Sequence, residues 1–343
     1  MAVHQPNILL VYTGGTIGMM KDPETGALKS FDFKNLLNNI PELKLLDCHI
    51  ETISFDEPID SSNMNVSYWV NIAEIIETHY NEFDGFVVLH GSDTMSYTAS
   101  AISFMFENLS KPIIFTGSQL PIGDLRTDAK ENLITSIQMA SLQKGGKPVI
   151  REVGLYFEYK LYRGNRTTKI NAEHFEAFAS MNYPHLAESG VHLKVQHDDL
   201  FKPNLRRKLV VHKQFDTDII LIKLFPGISQ SLLAPLFELS HIKGIVIETY
   251  GAGNTTTAVW LVDLLKQTIK RGIPIVNVTQ CAGGSVQMGQ YETSTQLKAI
   301  GVISGKDITT EAALAKMMFM LGENVASKTF KTIFETALRG EMS

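Results

Sequence analysis

Short apolar runs alternate with amphipathic segments along the first half of the chain, and this alternation constrains the fold more than any other feature. Each apolar run has the length of a buried strand, and the longer segments repeat apolar residues at helical spacing. Strand–helix–strand alternation predicts parallel strands, right-handed crossovers and helices on both faces of the sheet. The predicted strands cover residues 7–12, 85–89, 112–115 and 153–157, with a hairpin-like segment at 160–163, and the predicted helices cover 67–80, 95–107 and 128–142.

The length of the chain predicts two domains. Single hydrophobic cores stop growing at about 250–300 residues, and this chain has 343. We predict an N-terminal catalytic α/β domain over 1–190, a polar linker over 191–213 and a smaller C-terminal α/β domain over 214–343. The second domain has predicted strands at 219–224, 244–249 and 274–278, and predicted helices at 231–239, 258–271, 310–321 and 326–338.

Composition and charge argue against several classes of partner. The formal net charge is −5, and the strongest basic cluster, residues 206–208, is too short to bind a nucleic acid. No stretch reaches the ~18 apolar residues of a membrane span. The first six residues lack the features of a signal peptide. We therefore expect a cytoplasmic protein without nucleic-acid or membrane partners.

The cysteines and histidines indicate neither a disulfide framework nor a metal site. Cys48 and Cys281 lie far apart and outside any CxxC motif. One disulfide between them stays open, but buried free thiols in a reducing compartment are the favoured interpretation. None of the ten histidines has paired metal-ligand spacing. We therefore expect no metal ion and no organic cofactor.

Ligands of open α/β sheets bind at the carboxyl ends of strands, so the loops after the predicted strands carry the candidate site. The first loop, TGGTIG at residues 13–18, places the Thr16 hydroxyl between glycines whose exposed N–H groups can hold a ligand. This pattern is compatible with a threonine nucleophile but does not by itself favour one. A phosphate-cradling loop or a tight turn is the alternative, although the segment lacks the lysine of a Walker A loop.

Two further loops place carboxylates beside hydroxyl groups. In HGSDT at residues 90–94, Ser92 precedes Asp93, which could instead cap the following helix. In DSSNM at residues 60–64, the carboxylate and hydroxyls suit a zwitterionic ligand, and an Asx turn is the alternative. The basic segment RGNRTTK at 163–169 is typical of a solvated surface, unless one lysine reaches such a hydroxyl–carboxylate pair.

Together these segments resemble the bacterial-type L-asparaginases. The segment YRGNRTTK at 162–169 and the missing signal peptide resemble their cytoplasmic type I branch. The resemblance covers nearly the whole chain and implies hydrolysis of L-asparagine to L-aspartate and ammonia through a threonine acyl-enzyme intermediate. It also implies an N-terminal flavodoxin-like parallel-sheet domain, a smaller C-terminal α/β domain, and a homodimer or homotetramer.

The resemblance also implies roles for individual residues. Thr16 corresponds to the nucleophile. Ser92, Asp93 and Lys169 correspond to a second hydroxyl–lysine–aspartate set. Asn254 corresponds to a residue offered to the site of a neighbouring subunit. The contacts with the α-amino and α-carboxylate groups of the substrate fall on Asp60, Ser61, Ser62, Ser92 and Asp93.

Three positions depart from the family pattern. The family usually has threonine where this chain has Ser92, which keeps the hydroxyl but loses the methyl that restricts χ1. Residues 26–29 contain no tyrosine, although many members have one there that assists the nucleophile. Glu248 stands where allosteric type I enzymes have arginine. We therefore expect an effector site to be weak or absent, although Thr168 and Cys281 match that site.

Other functions on the same fold stay open at this point. A sensor would bind asparagine or a nucleotide without releasing ammonia. A tRNA-dependent amidotransferase subunit would carry an added N-terminal domain, for which Thr16 lies too early in the sequence. A lysophospholipase-linked relative would carry an extension beyond the core, whereas this sequence ends at Ser343. On these expectations an asparaginase is the favoured interpretation.

Overall fold

The computed structural model describes residues 5–21, 28–30, 40–290 and 292–343. It divides into two compact units, Met1–Lys213 and Gln214–Ser343. The first unit is built on an eight-stranded sheet. Its strands are β1 (Asn7–Gly14), β2 (His49–Ile59), β3 (Gly85–Leu89), β4 (Ile113–Thr116), β5 (Val153–Phe157), β6 (Lys160–Arg163), β7 (Ala187–Ser189) and β8 (Leu193–Val195).

Five parallel strands of this sheet follow the flavodoxin-like order β2-β1-β3-β4-β5. Strands β6, β7 and β8 add antiparallel pairs beyond β5. Because the strand order reverses at β1, the carboxyl ends of β1 and β3 flank a crevice that suits a ligand. The predicted α/β fold with a flavodoxin-like sheet is confirmed.

Three helices of the first unit are α1 (Val66–His79), α2 (Met95–Met105) and α3 (Ala129–Ser141). Helix α1 begins after Asn65, whose side chain accepts a hydrogen bond from the Ser67 N–H. All five residues of β3 are buried, as the continuous apolar run of a central parallel strand predicts. Each fully buried valine or leucine contributes about 1.5–3 kcal/mol, so this core stabilises the strand ends that carry the site.

Strand β2 has no counterpart among the predicted strands. Among the described strands it is the edge strand and pairs with β1 alone, and most of its residues are half-buried or exposed. Its acidic residues and Pro58 therefore obscure the apolar signal, as is usual for an edge position. This strand leads directly into the DSSNM loop and so determines where that loop lies.

The segment 191–213 differs from the predicted linker, because the structure assigns it to the first compact unit. Strand β8 pairs with β7, and Val210–Val211 pairs with Phe106–Glu107 just after helix α2. The first pairing is a local hairpin and the second joins residues distant in the sequence, and a polar composition reveals neither. Other short pairs are Met19–Lys21 with Leu28–Ser30, Gln143–Lys144 with Lys147–Pro148, and Thr168–Lys169 with Phe178–Ala179.

The second unit is smaller and has one four-stranded parallel sheet. Its strands lie in chain order as β9 (Ile219–Lys223), β10 (Gly244–Thr249), β11 (Ile275–Thr279) and β12 (Ile303–Ser304). Its helices are α4 (Gln230–Glu238), α5 (Val259–Lys270), α6 (Glu292–Ile300), α7 (Thr310–Gly322) and α8 (Ser327–Phe334). Helix α6 is rich in polar residues and has no predicted counterpart. Across the described ranges of both units, no helix is long and apolar enough to cross a membrane.

Both cysteines are free thiols, but only Cys48 is buried. Burial, with a smaller effect of Asp47, raises the pKa of the Cys48 thiol to about 11. Cys281 is exposed, so the prediction of a buried thiol is wrong at this position. It lies in the loop after β11, beyond the apolar run that fills the core.

Candidate active site

Three loops meet at the carboxyl ends of strands β1, β2 and β3, and two glycines bring them together. A Cβ on Gly14 would lie 2.1 Å from the carbonyl oxygen of Ile59, and a Cβ on Gly15 would lie 2.5 Å from the backbone nitrogen of Gly91. Both glycines also have positive φ angles, 132° and 87°, which side chains disfavour. The TGGTIG loop can therefore approach the end of β2 and the HGSDT loop only because these residues are glycines.

The HGSDT and DSSNM loops also contact each other directly. A Cβ on Gly91 would lie 2.5 Å from the Ser61 Oγ atom. The Thr94 hydroxyl donates a 2.7 Å hydrogen bond to the Ser61 carbonyl. The backbone N–H of His90 donates to the Thr116 carbonyl at 2.9 Å, which ties the same loop to the end of β4. Four strand ends thus supply one cluster of polar groups.

Thr16 begins a short 3₁₀ turn, Thr16–Gly18, directly after β1. Its side chain is half-buried, and its hydroxyl makes no hydrogen bond with any residue in the described ranges. The preceding Gly15 packs on Gly91, so Thr16 lies next to the loop that carries Ser92. The hydroxyl is therefore presented at the meeting point of the loops without a structural hydrogen bond to explain it.

Lys169 reaches Ser92 and Asp93 from a distant part of the chain. Its Nζ atom donates to Ser92 Oγ at 2.9 Å and to Asp93 Oδ1 at 2.6 Å. The Lys169 side chain is 17% exposed and that of Asp93 is 65% exposed. A partly solvated ion pair contributes little to stability, so stability does not account for this arrangement. It places a positive charge against a hydroxyl at a strand end.

The structure does not support the alternative that Asp93 caps the following helix. Helix α2 begins at Met95 after the N-cap residue Thr94, and no side chain accepts a hydrogen bond at this cap. The Asp93 carboxylate binds Lys169 instead, and the Thr94 hydroxyl bonds Ser61.

The Asp60 carboxylate is exposed at the rim of the cluster and is held by Ser62. Its Oδ1 atom accepts hydrogen bonds from the N–H and the hydroxyl of Ser62, both at 2.9 Å. The backbone bond first, and then the hydroxyl bond, lower the pKa of Asp60, against a smaller opposing effect of burial. The loop therefore forms the Asx turn of the alternative interpretation and also keeps a charged carboxylate beside the buried Ser61.

The basic segment 163–169 is largely buried, unlike the solvated surface that such clusters usually form. Arg163 and Arg166 are only 5% and 2% exposed. The Arg163 Nε atom donates to Glu152 at 2.6 Å, and its guanidinium lies 4.3 Å from the centre of the Tyr183 ring. Breaking such a buried pair typically costs about 3–5 kcal/mol. This pair anchors the chain that carries Lys169.

Gln119 belongs to the site but has no role among the predicted residues. It follows β4, and its Oε1 atom accepts a 3.2 Å hydrogen bond from Ser92 Oγ. Its Nε2 atom donates to the carbonyl oxygens of Ala172 and His174 at 3.1 and 3.0 Å. The sequence signal that could have identified it is its position in a loop at a strand end.

His90 lies beneath the site as an uncharged residue. Burial lowers the pKa of this histidine to about 4, despite an opposing hydrogen bond to the Gly91 carbonyl. That bond joins Nδ1 to the carbonyl oxygen over 2.7 Å. At neutral pH the ring therefore supports the backbone of the HGSDT loop without adding charge.

The predicted intersubunit and effector residues are divided between the units. Thr168 lies beside Lys169 in the first unit, whereas Asn254, Glu248 and Cys281 lie in the second. Asn254 closes a tight turn in which its backbone N–H donates to the Tyr250 carbonyl at 2.8 Å.

Glu248, which stands at the position of the family's arginine, is already paired within the second unit. Its Oε1 atom accepts a 2.6 Å hydrogen bond from the Thr310 hydroxyl. Its Oε2 atom lies 3.4 Å from Lys223 Nζ, and its side chain is 13% exposed. These contacts hold the Glu248 carboxylate in place within the second unit.

Two expectations lie beyond this geometry. The first expectation concerns the segment 26–29, which has no tyrosine. Its first two residues, 26 and 27, lie outside the described residues. Among the residues that are described, no cluster of three or more His, Cys, Asp or Glu side chains is arranged to hold a metal ion.

Comparison with known proteins covers both units. The family described as "Asparaginase, N-terminal" matches residues 7–200, and "Glutaminase/Asparaginase C-terminal domain" matches residues 218–334.

L-asparaginase 1 of Escherichia coli (strain K12) is 40% identical over 342 residues, which is 99% of each chain. The 60 kDa lysophospholipase of Mus musculus is 38% identical over 358 residues, covering 98% of this chain and 62% of that protein. The crystal structure of L-asparaginase I from Vibrio cholerae matches with a TM-score of 0.90 and 38% identity over 99% of this chain and 100% of that one. With both units matched in sequence and the whole chain matched in structure, this protein belongs to the asparaginase family.

Proposed function

We propose that this chain hydrolyses the side-chain amide of L-asparagine to L-aspartate and ammonia, with Thr16 as the nucleophile. The observation that carries the proposal is the Lys169 ammonium bound to both Ser92 and Asp93, beside the glycine loop that presents Thr16. Membership of the asparaginase family supports the same reaction. No step of this reaction requires a metal ion or an organic cofactor.

The proposed reaction proceeds in two acyl-transfer steps. Thr16 Oγ1 attacks the amide carbon, the new ester bond forms, and the C–N bond breaks as ammonia leaves with the threonine proton. Water then attacks the ester carbon, returns a proton to Thr16 and releases aspartate. Lys169 and Asp93 set the charge around Ser92 and assist the movement of this proton to the leaving ammonia. Backbone N–H groups of the loops stabilise the oxyanion, each worth about 3–4 kcal/mol in other enzymes.

The charges at the rim suit the two backbone groups of a free amino acid. The exposed Asp60 carboxylate, whose pKa is lowered by Ser62, is suited to the α-ammonium group. Asp93 is a second carboxylate of the same loop cluster, and the hydroxyls of Ser61, Ser62 and Ser92 can donate to the α-carboxylate. An amino acid with a side-chain amide fits these groups and Thr16 together.

Ammonia release from asparagine, glutamine and buffer alone tests the proposal. We expect asparagine to be preferred by about 10–200-fold in kcat/KM, because one methylene in a fitted pocket is worth about 1–3 kcal/mol. Equal kcat/KM for both amides would contradict a fitted pocket. Tight binding of asparagine without ammonia release would indicate a sensor instead.

We further propose a cytoplasmic homodimer or homotetramer in which Asn254 serves a neighbouring subunit's site. The turn that carries Asn254 is held firmly within its own unit. Asn277 Nδ2 donates to the Gly253 carbonyl at 3.0 Å, and the Thr279 hydroxyl donates to the Gly251 carbonyl at 2.6 Å. A turn fixed in this way suits presentation of a side chain to a partner. A fully active monomer in analytical ultracentrifugation would contradict this assembly.

We expect a hyperbolic dependence of rate on asparagine concentration, without activation at a second site. An arginine would bind an effector carboxylate through two hydrogen bonds, whereas the Glu248 carboxylate repels it and already binds Thr310. Initial rates over about three decades of asparagine concentration around KM measure this. A strongly sigmoidal curve would show that an effector site works without the arginine.

A further inference from the structure

Gln119 connects Ser92 to a backbone segment that fixes the orientation of the Gln119 amide. Its Nε2 atom donates to two carbonyl oxygens, those of Ala172 at 3.1 Å and His174 at 3.0 Å. A reversed amide would place its oxygen against these two carbonyls, which can only accept hydrogen bonds. The Oε1 atom must therefore face Ser92, whose Oγ atom lies 3.2 Å away.

The backbone of Gln119 is anchored independently of its side chain. The buried Asp128 carboxylate accepts hydrogen bonds from the N–H groups of Gln119 at 2.9 Å and Leu120 at 3.1 Å. Asn132 Nδ2 donates to the same carboxylate at 3.2 Å and to the Gly117 carbonyl at 3.0 Å. Because these bonds hold the loop, a change of the Gln119 side chain alters the amide contacts and leaves the loop in place.

The direction of the Ser92 hydroxyl follows from these contacts. An amide oxygen is an acceptor, so the Ser92 proton points towards Gln119. The lone pairs of Ser92 Oγ then face away from Gln119, and one of them accepts the 2.9 Å hydrogen bond from Lys169. Serine lacks the methyl group that restricts χ1 in threonine, so the two hydrogen bonds define its rotamer.

We propose that Gln119 is a positioning residue that fixes the rotamer and the proton direction of Ser92. In this role it presents the Ser92 oxygen to Lys169 as an acceptor. The inference rests on the proposed function, in which Lys169 and Asp93 set the charge around Ser92 and assist the movement of the proton that Thr16 loses. Gln119 also distinguishes the roles of the two hydroxyl groups. The Ser92 proton points at the Gln119 amide oxygen, which does not remove it, so Thr16 is the hydroxyl that attacks.

Gln119→Leu, measured with and without the Ser92 hydroxyl, tests the inference. Leucine keeps the bulk of the side chain and removes both ends of the amide. With Ser92 present, kcat is expected to fall about ten- to a hundredfold, with KM within about threefold of the wild type. In a Ser92→Ala background, assayed at high enzyme concentration, no hydroxyl remains to be oriented, so the further loss is expected to be less than about twofold. Equal losses in both backgrounds would overturn the inference, since holding residues 172–174 does not depend on Ser92.

Gln119→Glu gives a second readout through its pH dependence. A protonated glutamic acid has one O–H group, which can donate to one of the Ala172 and His174 carbonyls while its other oxygen accepts from Ser92. A carboxylate has no donor and repels both carbonyls. The kcat of this variant relative to the wild type is therefore expected to rise at least about threefold as pH falls from about 8 to about 5. A constant ratio would contradict the inference.

Failure of the inference can be told apart from failure of the proposed function. A wild-type chain that releases no ammonia from asparagine would overturn both. An active wild type whose Gln119 variants lose activity independently of Ser92 and of pH would overturn the inference alone.

Discussion

Thr16→Ala is expected to lower kcat with asparagine by roughly 10⁴-fold or more while leaving the melting temperature near that of the wild type. The loss would be large because the alanine side chain has no atom that can form the acyl-enzyme ester. Stability should change little, because the half-buried hydroxyl makes no hydrogen bond to a described residue. Steady-state ammonia release and thermal melts on the same preparation measure both effects.

Thr16→Ser is the matched control, because it keeps the hydroxyl and removes only the methyl group. This variant should retain far more activity than Thr16→Ala. If Thr16→Ala kept more than about a tenth of the wild-type rate, less than ~1.4 kcal/mol of transition-state stabilisation would depend on Thr16, and another residue would have to attack.

Ser92→Ala and Lys169→Met are each expected to lower kcat by about 10²–10⁴-fold, the usual range for a positioned acid–base group. The 2.9 Å contact between Lys169 Nζ and Ser92 Oγ makes the pair a single unit for proton transfer. The double variant should therefore cost little more than either single variant. Steady-state kinetics on the four combinations measure the coupling, and a fully active Ser92→Ala enzyme would exclude the unit.

Two conservative changes sharpen this test. Ser92→Thr keeps the hydroxyl and should stay within about tenfold of the wild-type rate, or ~1.4 kcal/mol. Asp93→Asn should raise KM as well as lower kcat, because Asp93 faces both Lys169 and the substrate ammonium in the proposed site. An unchanged KM in the Asp93→Asn variant would indicate that Asp93 contacts Lys169 but does not bind the substrate ammonium.

The residues of the candidate site could be predicted where a reactive residue type directly follows an apolar run that marks a buried strand. The loops after β1 and β3 follow continuous apolar runs, so their glycines and hydroxyls stand out at strand ends. Lys169 is different, because its pairing with Ser92 joins positions 77 residues apart and follows from the family resemblance, not from local pattern. Gln119 lies in a loop at a strand end, but its amide side chain gives no signal of its own, and its three hydrogen-bond partners show what it contacts.

The missed parts of the fold depend on partners that are distant in the sequence. Strand β2 has one neighbour among the described strands, so it is half-exposed and its composition resembles a polar loop. Within the segment 191–213, Val210–Val211 pairs with Phe106–Glu107 at the end of helix α2, far earlier in the chain. Arg163 is buried because Glu152 and Tyr183 receive its guanidinium, and neither partner is adjacent to it in the sequence.

The position of β1 between β2 and β3 has a consequence for the order in which the molecule becomes active. Its two neighbours, β2 and β3, come later in the chain, and the Lys169 contact comes later still. Helices form within about a microsecond, whereas non-local strand pairing is much slower. During refolding from denaturant, circular dichroism at 222 nm should therefore recover before ammonia release does. Recovery of enzyme activity therefore follows the pairing of the strands of this sheet. A nascent chain that ends before Lys169 would release no ammonia, although it would already contain all the glycines at the strand ends.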